Sequence, residues 1–143
     1  MSECDFAERL PVFVYGTLLA GESNARVIAD VGVLRREPAT AAGLTLYGQT
    51  GPFPFAHPRA ASQVVGELVW LADTAPGDRI RLAIDELEGF SPGLPATFYR
   101  RVEWEATDAA GGLVRCWTYL AADIIAADFD EGERIIHGDW RNR

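Results

Sequence analysis

Two places in this chain combine residue types that could do chemistry. The first is Glu88, the last residue of the segment Ala83-Ile84-Asp85-Glu86-Leu87-Glu88 before Gly89. If residues 73–88 form a helix, then at about 100° per residue Ile80, Ala83, Ile84 and Leu87 share one face. Asp85 and Glu86 then point well away from its centre, and Glu88 lies nearer to it than either. Glu88 is therefore the carboxylate drawn toward the core, and it also meets the negative end of the helix dipole. Both effects raise proton affinity, which suits a general base working near neutrality. The same position also suits a solvated residue at a frayed helix end.

The second place is Tyr15-Gly16-Thr17-Leu18, which follows the apolar run Pro11-Val12-Phe13-Val14. A buried strand that stops at glycine leaves consecutive backbone N–H groups at its mouth, able to hold a carboxylate or a developing oxyanion. Gly16 would permit close backbone approach and unusual dihedrals. An ordinary tight turn would have the same sequence. Other chemistries find less support. His57, His137, Cys4 and Cys116 lack metal-ligand spacing, so no metal or cofactor is expected. There is no GxSxG elbow and no phosphate-binding loop.

These residues need elements to position them. Residues 11–15 read as a strand, and Ser23 or Asn24 can cap a short helix over 25–31. Residues 42–47 alternate as a half-buried strand. Gly51 to Pro58 carries three prolines and reads as an apolar loop. VVGELVWL at 64–71 is a strong strand pattern. Asp73 to Asp78 has a capping residue, an early proline and an acidic first turn, which predicts the start of the helix ending at Glu88. Strands over 98–105 and 113–120 follow, joined by an Asp108 to Gly112 hairpin. A helical turn is expected before Gly138. The chain shows no internal repeat and no regular βαβ alternation. The expectation is α+β: residues 1–10 as an N-terminal extension and 11–143 as a single domain with a curled sheet or small barrel.

The 143 residues carry 13 basic and 21 acidic side chains, a formal net charge of -8. That balance argues against nucleic-acid binding. No apolar run reaches membrane-spanning length and no export signal is visible, so a reducing cytoplasm is the simplest setting. The aromatic strand faces around Trp70, Trp104, Trp117 and Tyr119 leave room for a homodimer.

Taken in order, VFVYGTLLAGESNARVI, VVGELVWL, AIDELEGF, FYRRVEW, CWTY and the tail IIHGDW resemble the γ-glutamylcyclotransferase-like family, and its bacterial members in particular. The resemblance spans roughly residues 11–140. It implies a small mixed β-barrel with peripheral helices. It implies an enzyme that cyclises a γ-glutamyl group to 5-oxoproline and releases an amine or amino acid, without metal or cofactor. Glu88 matches the family's catalytic glutamate. Tyr15, Gly16, Thr17 and Leu18 would line the pocket for the glutamyl end. Tyr99 and Arg101 match a Tyr-x-Arg pattern, with Tyr99 closing the pocket. The loop SPGLPAT before Tyr99 differs in length from that of the eukaryotic enzymes. The alternative is a non-catalytic member that binds a small carboxylate ligand or acts as an interaction domain.

Overall fold

A computed structural model of the chain describes residues 9–28, 31–91 and 93–143. Six strands occur among them: β1 (Val12–Val14), β2 (Val33–Tyr47), β3 (Phe55–Leu71), β4 (Tyr99–Thr107), β5 (Leu113–Ala121) and the short β6 (Arg134–Ile135). Two helices accompany them, α1 (Ala75–Leu87) and α2 (Asp123–Ala126), with 3-10 turns at Ala25–Val27, Glu131–Glu133 and Trp140–Asn142.

The pairings close a ring. β1 is antiparallel to β3, β3 to β2, β2 to β4 and β4 to β5, and β5 returns to β1 as a parallel pair through Val12 and Trp117. The result is a five-stranded mixed barrel, with β6 added to the edge of β2 at Leu46 and Tyr47. Alternation along β1 divides its side chains between two cores. Phe13 and Tyr15 join Leu44, Leu46, Val64, Leu68, Leu120 and Trp140 in one cluster. Val12 and Val14 join Ile80 and Ile84 of α1 in the other, so α1 packs on the outer face of the barrel.

Several local expectations change. The helix expected over 25–31 is a 3-10 turn at Ala25–Val27, and residues 29 and 30 lie outside the described set, as does Cys4. The Pro-rich loop ends at Phe55, where β3 already begins, so His57 and Pro58 are strand residues. Pro58 is tolerated because the ladder breaks beside it. Leu44 faces Pro58 and Ala42 faces Gln63, so residues 59–62 bulge opposite Gly43, with Ala61 at φ 64°. β2 starts at Val33 rather than residue 42, and α2 precedes a tail whose expected turn is the 3-10 turn Glu131–Glu133. The 108–112 hairpin is present, closed by Asp108 N–H to Gly112 O at 2.9 Å. No helix among the described residues is long and apolar enough to cross a membrane.

Candidate active site

Helix α1 brings the first candidate into place. Thr74 is its N-cap, a proline occupies its first turn and Glu88 is its C-cap. Gly89, at φ 69°, takes the left-handed conformation that ends a helix with little cost only in glycine. The face it buries is Gly77, Ile80, Arg81, Ile84 and Asp85. This face is rotated from the one the apolar residues alone outline: Leu87 is exposed, and Asp85, expected to point away, is buried. Asp85 accepts from Arg101 Nη1 at 2.5 Å and from the Tyr119 hydroxyl at 2.5 Å. Centred on the buried positions, the face places Glu88 within about 20° of its middle.

Glu88 has no hydrogen-bond or ion-pair partner for its carboxyl among the described residues, and it lines a cavity. Its proton affinity is raised from the usual carboxylate value to about 8, first by loss of water around it and then by the negative charge of Asp85 one turn back. The direction agrees with the sequence expectation, while the contribution of Asp85 does not appear in it.

The turn after β1 lines the same cavity. The Tyr15 hydroxyl donates to Tyr119 O at 2.6 Å and accepts from the Ala56 N–H at 3.3 Å. A Cβ on Gly16 would stand 2.6 Å from Pro54 Cγ, so glycine is needed there for space. Gly16 is not in the left-handed region, and the unusual dihedral expected of it is not adopted. The carbonyls of Gly16, Thr17 and Leu18 accept from Leu19 N–H, Asn24 N–H and Arg36 Nη2 respectively. The N–H groups of Gly16, Thr17 and Leu18 donate to no acceptor among the described residues. Asn24 Nδ2 donates to Thr17 Oγ1 at 3.0 Å and so helps fix the turn.

Tyr99 opens β4, donates its hydroxyl to Pro54 O at 2.6 Å and stacks on Phe55 at 4.7 Å between centroids. Burial pushes the Tyr15, Tyr99 and Tyr119 hydroxyls well above their ordinary value, and negative charge at Asp85 or Glu88 adds to it. All three are neutral donors committed to protein acceptors. Tyr15, Gly16, Thr17, Leu18, Glu88 and Tyr99 line one cavity of about 280 Å³, near the lower end of small-molecule sites. Arg101 is not at its wall and pairs with Asp85. Tyr119, which the sequence offers only as one aromatic among several on a strand, lines the cavity and touches Asp85. No cluster of three or more His, Cys, Asp or Glu able to hold a metal ion occurs among the described residues.

A family model for gamma-glutamyl cyclotransferase, AIG2-like proteins matches residues 12–142. The chain belongs to the gamma-glutamyl cyclotransferase, AIG2-like family. Solved structures similar to this family member include Pyrococcus horikoshii PH0828, with TM-score 0.62 and 21% identity over 93% of this chain and 91% of that one. An AIG2-like protein of Mus musculus has TM-score 0.61 and 22% identity over 79% and 77% of the two chains. A gamma-glutamyl cyclotransferase has TM-score 0.55 and 15% identity over 85% and 68%. At these identities the likeness shows the shared fold. A sequence comparison with curated proteins found no match.

Proposed function

We propose that the protein is a γ-glutamyl cyclotransferase-type enzyme, with residues 11–143 acting as one catalytic domain. One observation carries this proposal. Glu88, whose carboxyl is unpartnered, and Gly16 to Leu18, whose backbone N–H groups are unpartnered, line the same largely apolar cavity. The substrate would be a γ-glutamyl amide whose own α-amine attacks its γ-carbonyl. Holding both ends of one molecule in a folded geometry supplies much of the needed proximity.

Glu88 takes a proton from the attacking amine as the new C–N bond closes the five-membered ring. The γ-carbonyl becomes a tetrahedral oxyanion. The bond to the leaving nitrogen then breaks, and Glu88 returns the proton to that nitrogen. The products are 5-oxoproline and a free amine, and no water or cofactor is consumed. A carboxylate of ordinary proton affinity would be a poor acceptor from an amine, whose ordinary value is near 8. Glu88, raised to about 8, is matched to it. The N–H groups of the turn hold the α-carboxylate or stabilise the oxyanion. Tyr15 and Tyr99, fixed to backbone carbonyls, shape the cavity walls.

The test is release of 5-oxoproline, followed by mass spectrometry, from γ-glutamyl amines, γ-glutamyl amino acids and glutathione. Wild-type protein should release it, and folded Glu88→Gln should lose about 100-fold or more in kcat. Equal turnover by the two proteins would remove Glu88 from this role, and silence across the whole panel would favour a binding protein.

A further inference from the structure

The turn after β1 is held by side chains that do not line the cavity. Arg36 of β2 and Glu67 of β3 stand on neighbouring strands. Glu67 also pairs in register with Val14, the last residue of β1 before the turn. Arg36 Nη2 donates to Leu18 O at 2.9 Å, and Arg36 Nε donates to Glu67 Oε1 at 2.9 Å. The same Glu67 oxygen accepts from the Ala20 N–H at 3.3 Å. Both side chains are largely out of water, at 23% and 13% exposure. Arg141, on the 3-10 turn Trp140–Asn142, donates to Ala20 O and lies 3.6 Å from the other Glu67 oxygen. Neither Arg36 nor Glu67 belongs to the cavity wall.

Peptide geometry turns these contacts into a relay. Every peptide bond among the described residues is trans. In a trans unit the C=O of one residue and the N–H of the next point in opposite directions. Whatever holds a carbonyl therefore also orients the N–H that follows it. Gly16 O is held by the Leu19 N–H at 3.0 Å, which orients the Thr17 N–H. Thr17 O is held by the Asn24 N–H at 2.8 Å, which orients the Leu18 N–H. The Leu19 N–H shares a peptide unit with Leu18 O, the carbonyl bound by Arg36. Arg36 thus fixes the unit that in turn holds Gly16 O. Glu67 steadies the planar guanidinium, which bonded at two nitrogens has little freedom left to turn. It also holds the next peptide unit by the Ala20 N–H.

From this arrangement we propose that Arg36 and Glu67 are positioning residues, which fix the Leu18–Leu19 and Leu19–Ala20 peptide units and through the Leu19 N–H set the direction of the Thr17 N–H. The proposal rests on the cyclotransferase reading above for what the turn does to a substrate, but not for how the turn is held. An ion pair that served only to join β2 to β3 would need neither the Leu18 nor the Ala20 contact.

Two measurements on the same folded proteins test it: amide hydrogen exchange by 15N NMR, and kcat/KM for 5-oxoproline release from the γ-glutamyl conjugate that the wild type uses best. Arg36→Met keeps an apolar stem and removes both donors, while Glu67 retains Arg141 as a neighbour. The Leu19 amide should exchange at least about tenfold faster than in the wild type, the factor expected when a charge-assisted hydrogen bond is lost. The Trp117 amide, which donates to Pro11 O where the barrel closes, should keep its rate. A loss of overall stability would instead speed both. In the same variant kcat/KM should fall at least about tenfold, as for a misplaced binding group. Glu67→Leu should reproduce both effects. Glu67→Gln offers an amide oxygen to the same two donors and should retain several-fold more kcat/KM than Glu67→Leu. The two Glu67 variants carry the test if Arg36→Met does not fold. An unchanged Leu19 amide, a kcat/KM within about twofold of the wild type, or no advantage of Glu67→Gln over Glu67→Leu would overturn the assignment while the activity stands. Absence of 5-oxoproline from the wild type would overturn the activity itself, and with it the role assigned to the pair.

Discussion

Arg81 and Glu88 lie two turns apart on α1, and the protein surrounds them in opposite ways. Arg81 is fully buried, and its guanidinium donates to Leu71 O at 3.0 Å, Ala72 O at 2.8 Å and Asp78 at 3.0 Å. It ties the helix start to the end of β3. Asp85, between the two, is held by Arg101 and Tyr119 and ties the helix to β4 and β5. Glu88 continues the same stripe, half-buried, yet has no partner among the described residues and lines the cavity. A buried charge with partners builds structure, while one left without partners changes its proton affinity instead. In the proposed mechanism the helix thus separates scaffold from chemistry along its length.

The contrast can be broken at its scaffold end. Arg81→Ala removes the donors of two carbonyls and leaves a cavity, and should cost about 3 kcal/mol of stability by urea unfolding. The folded fraction should keep its kcat within about twofold. A large loss of kcat in folded Arg81→Ala would mean that the two ends of the helix are not separate.

Asp85→Asn probes the joint between them. It removes the charge that supports the high proton affinity of Glu88 while keeping the shape of the side chain. The rise of kcat/KM with pH should move down by up to about one unit. Arg101 loses its counter-charge in the same variant, so some stability is lost as well. An unchanged pH profile in folded Asp85→Asn would show that water loss alone sets Glu88.

The smallest expected effect is on stability. Glu88 binds its proton more tightly when folded, so its contribution is fully present below about pH 4.5 and is lost as pH rises through about 8. Glu88→Gln carries no such charge. It should therefore be more stable than the wild type above pH 8, by on the order of 1 kcal/mol after allowance for a half-buried group. Chemical unfolding at pH 5 and pH 9 reads the difference, and parallel behaviour of the two proteins at both values would contradict it.

The sequence carried the ends of this contrast better than its middle. Glu88 before Gly89, and Tyr15 to Leu18 after an apolar strand, are local signals, and both reach the cavity wall. The burial of Arg81 and Asp85 is illegible there, because the apolar residues alone outline a different face of the helix. The partners that make those charges stable inside, such as Arg101 and Tyr119, come from strands distant in sequence. The barrel was legible in outline. The extension of β3 back through His57 and Pro58 was not, because proline ordinarily excludes a strand interior and only the pairing with β2 reveals the bulge that accommodates it.

The most direct measurement is the titration of the Glu88 side-chain carboxyl in the folded wild-type protein by 13C NMR, with its signal assigned by its absence in Glu88→Gln. A midpoint near 8 is expected, the value that lets this unpartnered carboxyl exchange a proton with an amine near neutral pH. A midpoint near 4.5, that of an ordinary solvated glutamate, would contradict the account.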